Sequence, residues 1–243
     1  MPPRRAAAPA PEPPTSPIRW LVATCLLGVS LALHAQPNAY SSRADAIKGL
    51  TAPDAAHRVD AVVWIASNGT AADEKFLRPR LTDDSPMVRE LAEQGLWILW
   101  ARSGDATVDA LMEKGAAQME TRQLTDAVAT FSEVIRRKPA FAEGWNRRAT
   151  AYFLAGEFRR SLADCEEVTK RNPYHFGAFA GSGQNWFHLE QYDKAIAAWR
   201  RALEINPNLE GIEESIAVAE KLLAQKRRNY VQDGPAPPSP LRA

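Results

Sequence analysis

Three prolines, Pro139, Pro173 and Pro207, stand 34 residues apart, and each closes a similar phrase: VIRRKP, VTKRNP and ALEINP. A period of this length restricts the fold severely, because one such unit cannot bury its apolar face alone and must stack on a copy of itself. The residues between the prolines keep the register. Counting back 24 positions from each proline gives Gly115, Ala149 and Gly183, and counting back 12 gives Ala127, Ser161 and Ala195. Small side chains at these points let two helices of a unit approach closely. Bulky residues recur 28 back (Leu111, Trp145, Phe179), 21 back (Gln118, Tyr152, Trp186) and 8 back (Phe131, Cys165, Trp199), with Gln118 and Cys165 as the exceptions. Alanine is abundant while Val, Ile and Thr are sparse, which favours helix over strand.

This pattern closely resembles the tetratricopeptide repeat, Trp-x2-Leu-Gly-x2-Tyr, then Ala-x3-Phe, then Pro. The resemblance covers about 108–207, and the third copy, with Gly183, Trp186, Ala195, Trp199 and Pro207, matches best. It implies an all-α fold, an α-solenoid of helix-turn-helix repeats whose first helices line a concave groove. By register the groove residues are Met112, Ala116 and Met119 from the first repeat, Asn146, Arg147, Thr150 and Phe153 from the second, and Ala180, Gly181, Gln184 and Phe187 from the third. Met and Phe would form an adaptable apolar trough, with Asn146, Arg147 and Gln184 able to bond a peptide. Met112 and Met119 read equally well as ordinary helix packing. One subclass of the family grips a chaperone's C-terminal carboxylate with a clamp of Lys and Asn. The corresponding positions here hold Met112, Ala116, Arg147, Gly177 and Gly181, a single basic residue among them, so that clamp is not expected.

The stretch GAFAGSG, Gly177 to Gly183, lacks the Lys-Ser/Thr that a phosphate-binding loop carries after its last glycine, since Gln184 and Asn185 follow. Gly183 is the small position of the third repeat. Gly177 and Gly181 either leave room for something to approach or mark a weak helix held by its neighbours.

The flanks divide the rest of the chain. Residues 1–35 have the layout of a secretory signal peptide, with Arg4, Arg5 and Arg19 ahead of an apolar run from Trp20 to Leu33, and cleavage is expected near Ala35. That run is shorter than the roughly 20 residues of a membrane-spanning helix, so no stable span is expected after cleavage, an uncleaved tether being the alternative. The expected location is periplasmic or secreted. In 36–104, AAHRVDAVVWIAS and SPMVRELAEQGLWIL align at an offset of 31, pairing Arg58 with Arg89, and look like two short HEAT-type repeats. Helix starts are expected at Thr51-Ala-Pro-Asp54 and Asp84-Ser-Pro86. Both halves are expected to stack into one curved body. The repeat domain, 105–228, ends in a capping helix on Ile212, Ile216, Ala219 and Leu223, and 229–243 reads as a disordered Pro-rich tail.

Catalytic chemistry finds little support. After cleavage only Cys165 remains, at a core position of a second helix, and no two of His57, His175 and His188 have the i, i+4 spacing of helical metal ligands. No cofactor is expected. Charges are balanced, 30 basic against 29 acidic, and interspersed, so nucleic acid is not an expected partner. The leading reading is a non-enzymatic, exported interaction module for a peptide or partner helix. The alternatives are an enzyme or sensor subunit using His175, His188 or Cys165, and a self-associating structural protein.

Overall fold

The computed structural model describes residues 40–232, and all its regular elements are helical. The expected cleavage near Ala35 lies outside the described residues, as does the tail beyond Gln232. The N-terminal arm comprises α1 (Arg43–Gly49), α2 (Ala55–Asn68), a short α3 (Glu74–Leu77) between 3-10 turns, and α4 (Pro86–Ala101). Six helices form the three repeats: α5 (Ala106–Glu120) with α6 (Leu124–Arg137), α7 (Ala142–Leu154) with α8 (Phe158–Arg171), and α9 (Phe176–His188) with α10 (Tyr192–Ile205). The capping helix α11 (Ile212–Gln232) runs four residues into the stretch expected to be tail. No helix among the described residues is long and apolar enough to cross a membrane.

Several helices begin at a residue whose side chain or ring suits a helix start. The Asp54 carboxylate accepts from Ala56 N and starts α2, so Pro53 lies just ahead of the helix rather than inside it. Ser85 precedes Pro86 at the first position of α4, as expected. Asp105 accepts from Thr107 N and Val108 N at the start of α5. Each repeat turns on one left-handed residue, Arg122, Gly156 and Glu190, again 34 apart.

Within a repeat the two helices meet small against large. A methyl on Gly115 would overlap the Phe131 ring, and one on Gly183 would overlap Trp199. The second repeat narrows the difference, with a larger small residue, Ala149, facing a smaller large one, Cys165, and Ser161 Oγ donates to Ala149 O at 2.8 Å. The departures at Ser161 and Cys165 are therefore accommodated by a matched change across the helix pair.

The arm does not make two separate helix pairs. Its two similar segments are α2 and α4, and they pack on each other, with Gly95 of α4 against Leu77 and Ala66. The paired arginines of that alignment converge on one turn. Arg58 makes a buried ion pair with Asp83 and also reaches Asp84, while Arg89 donates to the carbonyls of the same two residues. Burial pushes the Asp83 carboxyl upward, but the hydrogen bonds from Arg58 and the Ser85 backbone N–H, with the Arg58 charge and Asp84, together outweigh it and hold the group below its ordinary value.

End-to-end stacking of the two halves is corrected by the structure: the arm folds back alongside the repeats, and its core is continuous with that of the third repeat and the cap. The first repeat's apolar clusters are separate. Trp97 and Trp100 set this arrangement, because their faces on α4 find His175 and Phe176 at the start of α9. Trp100 stacks on His175 at 4.4 Å, and Trp97 meets Phe176 edge-on at 5.2 Å. Polar contacts extend the seam along the turns between repeats. Lys138 Nζ donates to Ser103 O; Asn172 Nδ2 donates to Glu74 Oε2 at 2.9 Å; Asn206 Nδ2 donates to Glu93 Oε2 at 2.8 Å.

Glu93 is the costly member of this seam. Burial pushes its carboxyl up to about 7, the Asn206 hydrogen bond opposes that rise, and Glu210 and Glu90 add to it. Between the ordinary glutamate range and pH 7 the folded protein holds a proton that the unfolded chain has released, so stability falls as pH rises through this window and levels off above it. Replacing Glu93 by Gln removes the effect. Urea midpoints of wild type and Glu93→Gln are expected to be similar near pH 4.5 and to diverge up to pH 8, where the variant is more stable by about 3 kcal/mol. Parallel curves across that range would show that Glu93 ionises normally.

Candidate functional site

The first helices α5, α7 and α9 lie side by side, and the structure sorts their groove-register residues into three groups. Met119 and Phe187 are packed inside. Met119 belongs to the core cluster of Phe131 and Ala127, and Phe187 packs on Tyr192 and Trp199 at ring distances of 5.4 and 5.9 Å. Met112 is partly buried between the two first-repeat clusters. For both methionines helix packing is the observed role.

The second group is a buried polar cluster in the first turns of α7 and α9. Glu143 is 1% exposed, accepts from Arg147 Nε at 2.8 Å and from Asn146 Nδ2 at 3.1 Å, and its Oε2 lies 3.2 Å from His175 Nε2. Burial pushes the Glu143 carboxyl up, but Arg147 and His175 outweigh it and hold it below its ordinary value. His175 Nδ1 accepts from Ala178 N and so caps α9, which places the ring proton on Nε2 and makes it the donor to Glu143. Thr150 Oγ1 donates to Asn146 O at 3.0 Å, and Gln184 is buried beside this row. Arg147 and Asn146, expected to bond a ligand, are thus engaged with Glu143. Sequence reading missed Glu143 because an acidic residue in a first helical turn looks like a solvated helix start.

The third group remains partly open. Phe153 packs against Phe158 at 5.7 Å and His188 at 5.4 Å, and Phe158 stacks on His188 at 4.6 Å. Phe153 also borders a cavity between α7 and α9, whose walls include Asn146, Thr150, Cys165, Gly181 and Asn185. Gly177 lines the same cavity, but a side chain there would strike Trp97 of the arm.

The repeats match two family models, both described as tetratricopeptide repeat, at residues 112–175 and 178–209. A TPR repeat-containing protein of Rhizobium etli is 31% identical over 155 residues, which are 64% of this chain and 76% of that protein. The chain belongs to the tetratricopeptide repeat family. Hsp70-Hsp90 organizing protein 2 of Arabidopsis thaliana is 27% identical over 112 residues, 44% of this tetratricopeptide repeat protein but only 20% of its own length. Among solved structures, the first TPR of Spaghetti (RPAP3) bound to the HSP90 peptide SRMEEVD aligns at 23% identity and a TM-score of 0.48, covering 49% of this chain and 96% of that one. The family models begin at residue 112, so α1–α4 lie outside the matched region.

The groups named for an alternative catalytic role are placed in structural settings. Both His175 ring nitrogens are used within the fold. Burial lowers the His188 pKa, and it stacks on Phe158. The Cys165 thiol is 3% exposed, and burial pushes it up to about 12, far from a reactive thiolate. A bulky maleimide is therefore expected to leave Cys165 unmodified in the native protein and to react only at the rate of unfolding in a urea series. Rapid labelling without denaturant would return this thiol to the list of reactive groups.

Proposed function

We propose that this tetratricopeptide repeat protein is an exported, non-enzymatic interaction module that holds an extended peptide segment of a protein partner across α7 and α9. The observation that carries the reading is the partly open aromatic ledge of Phe153, Phe158 and His188 beside a cavity between two first helices, the face on which the family's grooves lie. Names of relatives that place them with Hsp70 and Hsp90 agree with protein binding as a class. The ligand chemistry differs from a carboxylate clamp. Arg147, the one basic side chain at the clamp positions, lies against the buried Glu143 carboxylate, and at another clamp position, Gly177, a side chain would strike Trp97. An uncharged, partly apolar segment suits this surface better than an acidic tail.

Export is part of the proposal and rests on the N-terminal layout of Arg19 and the short apolar run behind it. Two measurements test the whole. In pull-downs from envelope extract, Phe153→Ala is expected to lose several-fold in capture of a partner, the effect of removing an anchor worth more than about 1 kcal/mol, while Arg159→Glu at the far turn keeps it. Equal capture by both variants would move the binding face elsewhere. Amino-terminal sequencing of the protein from its producing cell is expected to begin at Gln36 or a near neighbour; an intact chain from Met1 in the cytosol would overturn export.

A further inference from the structure

Two glycines of α9 look alike in the sequence and differ in what surrounds them. Gly177 is required, because a side chain would strike Trp97, and Gly183 is required by Trp199. Gly181 is not. A methyl added there would have one atom within 4 Å, Cys165 Sγ at 3.7 Å, an ordinary contact. Glycine is the less stable choice inside a helix, and alanine would fit. The fold itself gives no reason for the missing side chain.

The cavity that Gly181 borders also has an unanswered acceptor in its wall. Asn185, one turn further along α9 and 1% exposed, donates through Nδ2 to Ser161 Oγ at 2.9 Å and to Gly181 O at 2.8 Å. Ser161 spends its only proton on Ala149 O, so its oxygen must accept from Asn185. That fixes which way the amide points. Its Oδ1 has no hydrogen-bond partner among the described residues, and Asn185 lines the cavity beside Gly181 and Phe153. A buried acceptor left unpaired is costly, so a donor is wanted at this point.

We infer that this cavity is a notch for the hydroxyl of a serine side chain of the bound peptide, donated to Asn185 Oδ1. The cavity volume of about 10 Å³ admits a single water-sized group, which fits a hydroxyl and rejects a ring or a branched chain. No carboxylate lines it, and Phe153, Ala149 and Cys165 form much of its wall, so an ammonium would lose its hydration without a counter-charge. The notch rests on the groove reading above and adds to it the kind of residue that the groove selects.

The test uses the full chain and a random-peptide display library as the probe. Peptides are selected on wild type and retained only if Phe153→Ala releases them. These peptides are expected to share a serine at one fixed position, and changing that serine to alanine is expected to weaken binding about tenfold. Gly181→Ala fills the notch; it is expected to melt at or above the wild-type temperature and to bind the selected peptides about tenfold more weakly. Selected peptides that bind Gly181→Ala as well as wild type and tolerate loss of serine would overturn the notch and leave the groove standing. A crystal structure of such a complex with only a water on Asn185 Oδ1 would do the same. If the library yields no peptide released by Phe153→Ala, the groove reading fails and the notch fails with it.

Discussion

Lys138, Asn172 and Asn206 occupy equivalent places one repeat apart, at the turns between repeats, and each reaches a partner in the N-terminal arm. Their partners are Ser103 just past α4, Glu74 of α3, which Trp100 of α4 holds, and Glu93 of α4. The arm as a whole therefore bridges successive turns of the solenoid. Repeats that otherwise contact only their neighbours are joined by an element that reads all three, and the rest of the architecture follows from this contact.

The arm also determines how much of the concave face is available. With Trp97 and Trp100 against His175 and Phe176, the first turns of α7 and α9 are sealed, and the polar groups there must satisfy one another. The Glu143, Arg147, Asn146 and His175 cluster is the result. A buried ion pair is weak support for stability in itself, but loss of one partner is severe, so the cluster fixes the geometry of the two helices rather than driving their association. The open aromatic surface is left at the other ends of α7 and α9, where Phe153 and His188 lie.

The repeats were legible in the sequence because their signals are local and periodic: prolines at one spacing, small residues opposite large ones, a left-handed turn residue in each unit. The arm's docking was not. Trp97 and His175 are far apart in the chain, and an aromatic on a helix face does not disclose which of several apolar surfaces it will meet. The same limit applies within the groove. Met119 and Phe187 hold the groove register, yet the helices rotate them into the core, and Gly177 and Gly181 cannot be told apart until Trp97 is placed over one of them. Asn185 carries no sequence signal at all, since its role depends on the direction in which Ser161 spends its proton.

Departures from the repeat pattern concentrate at one place. Ser161 and Cys165 replace the usual Ala and aromatic of the second repeat, and Gly181 stands in the third repeat without a steric cause. All three border the same cavity. Cys165 and Gly181 each leave volume where a larger side chain would stand, and the Ser161 hydroxyl takes up the Asn185 amide nitrogen, which leaves Oδ1 as the unpartnered atom. Each change alone weakens packing or helix propensity, which in a solenoid stabilised by neighbour contacts is felt mainly by the unit that carries it and the one beside it. The second and third repeats share this cavity, while the third is also the repeat whose core merges with the arm. The fold thus places this cavity between the second repeat and the unit whose core the arm extends.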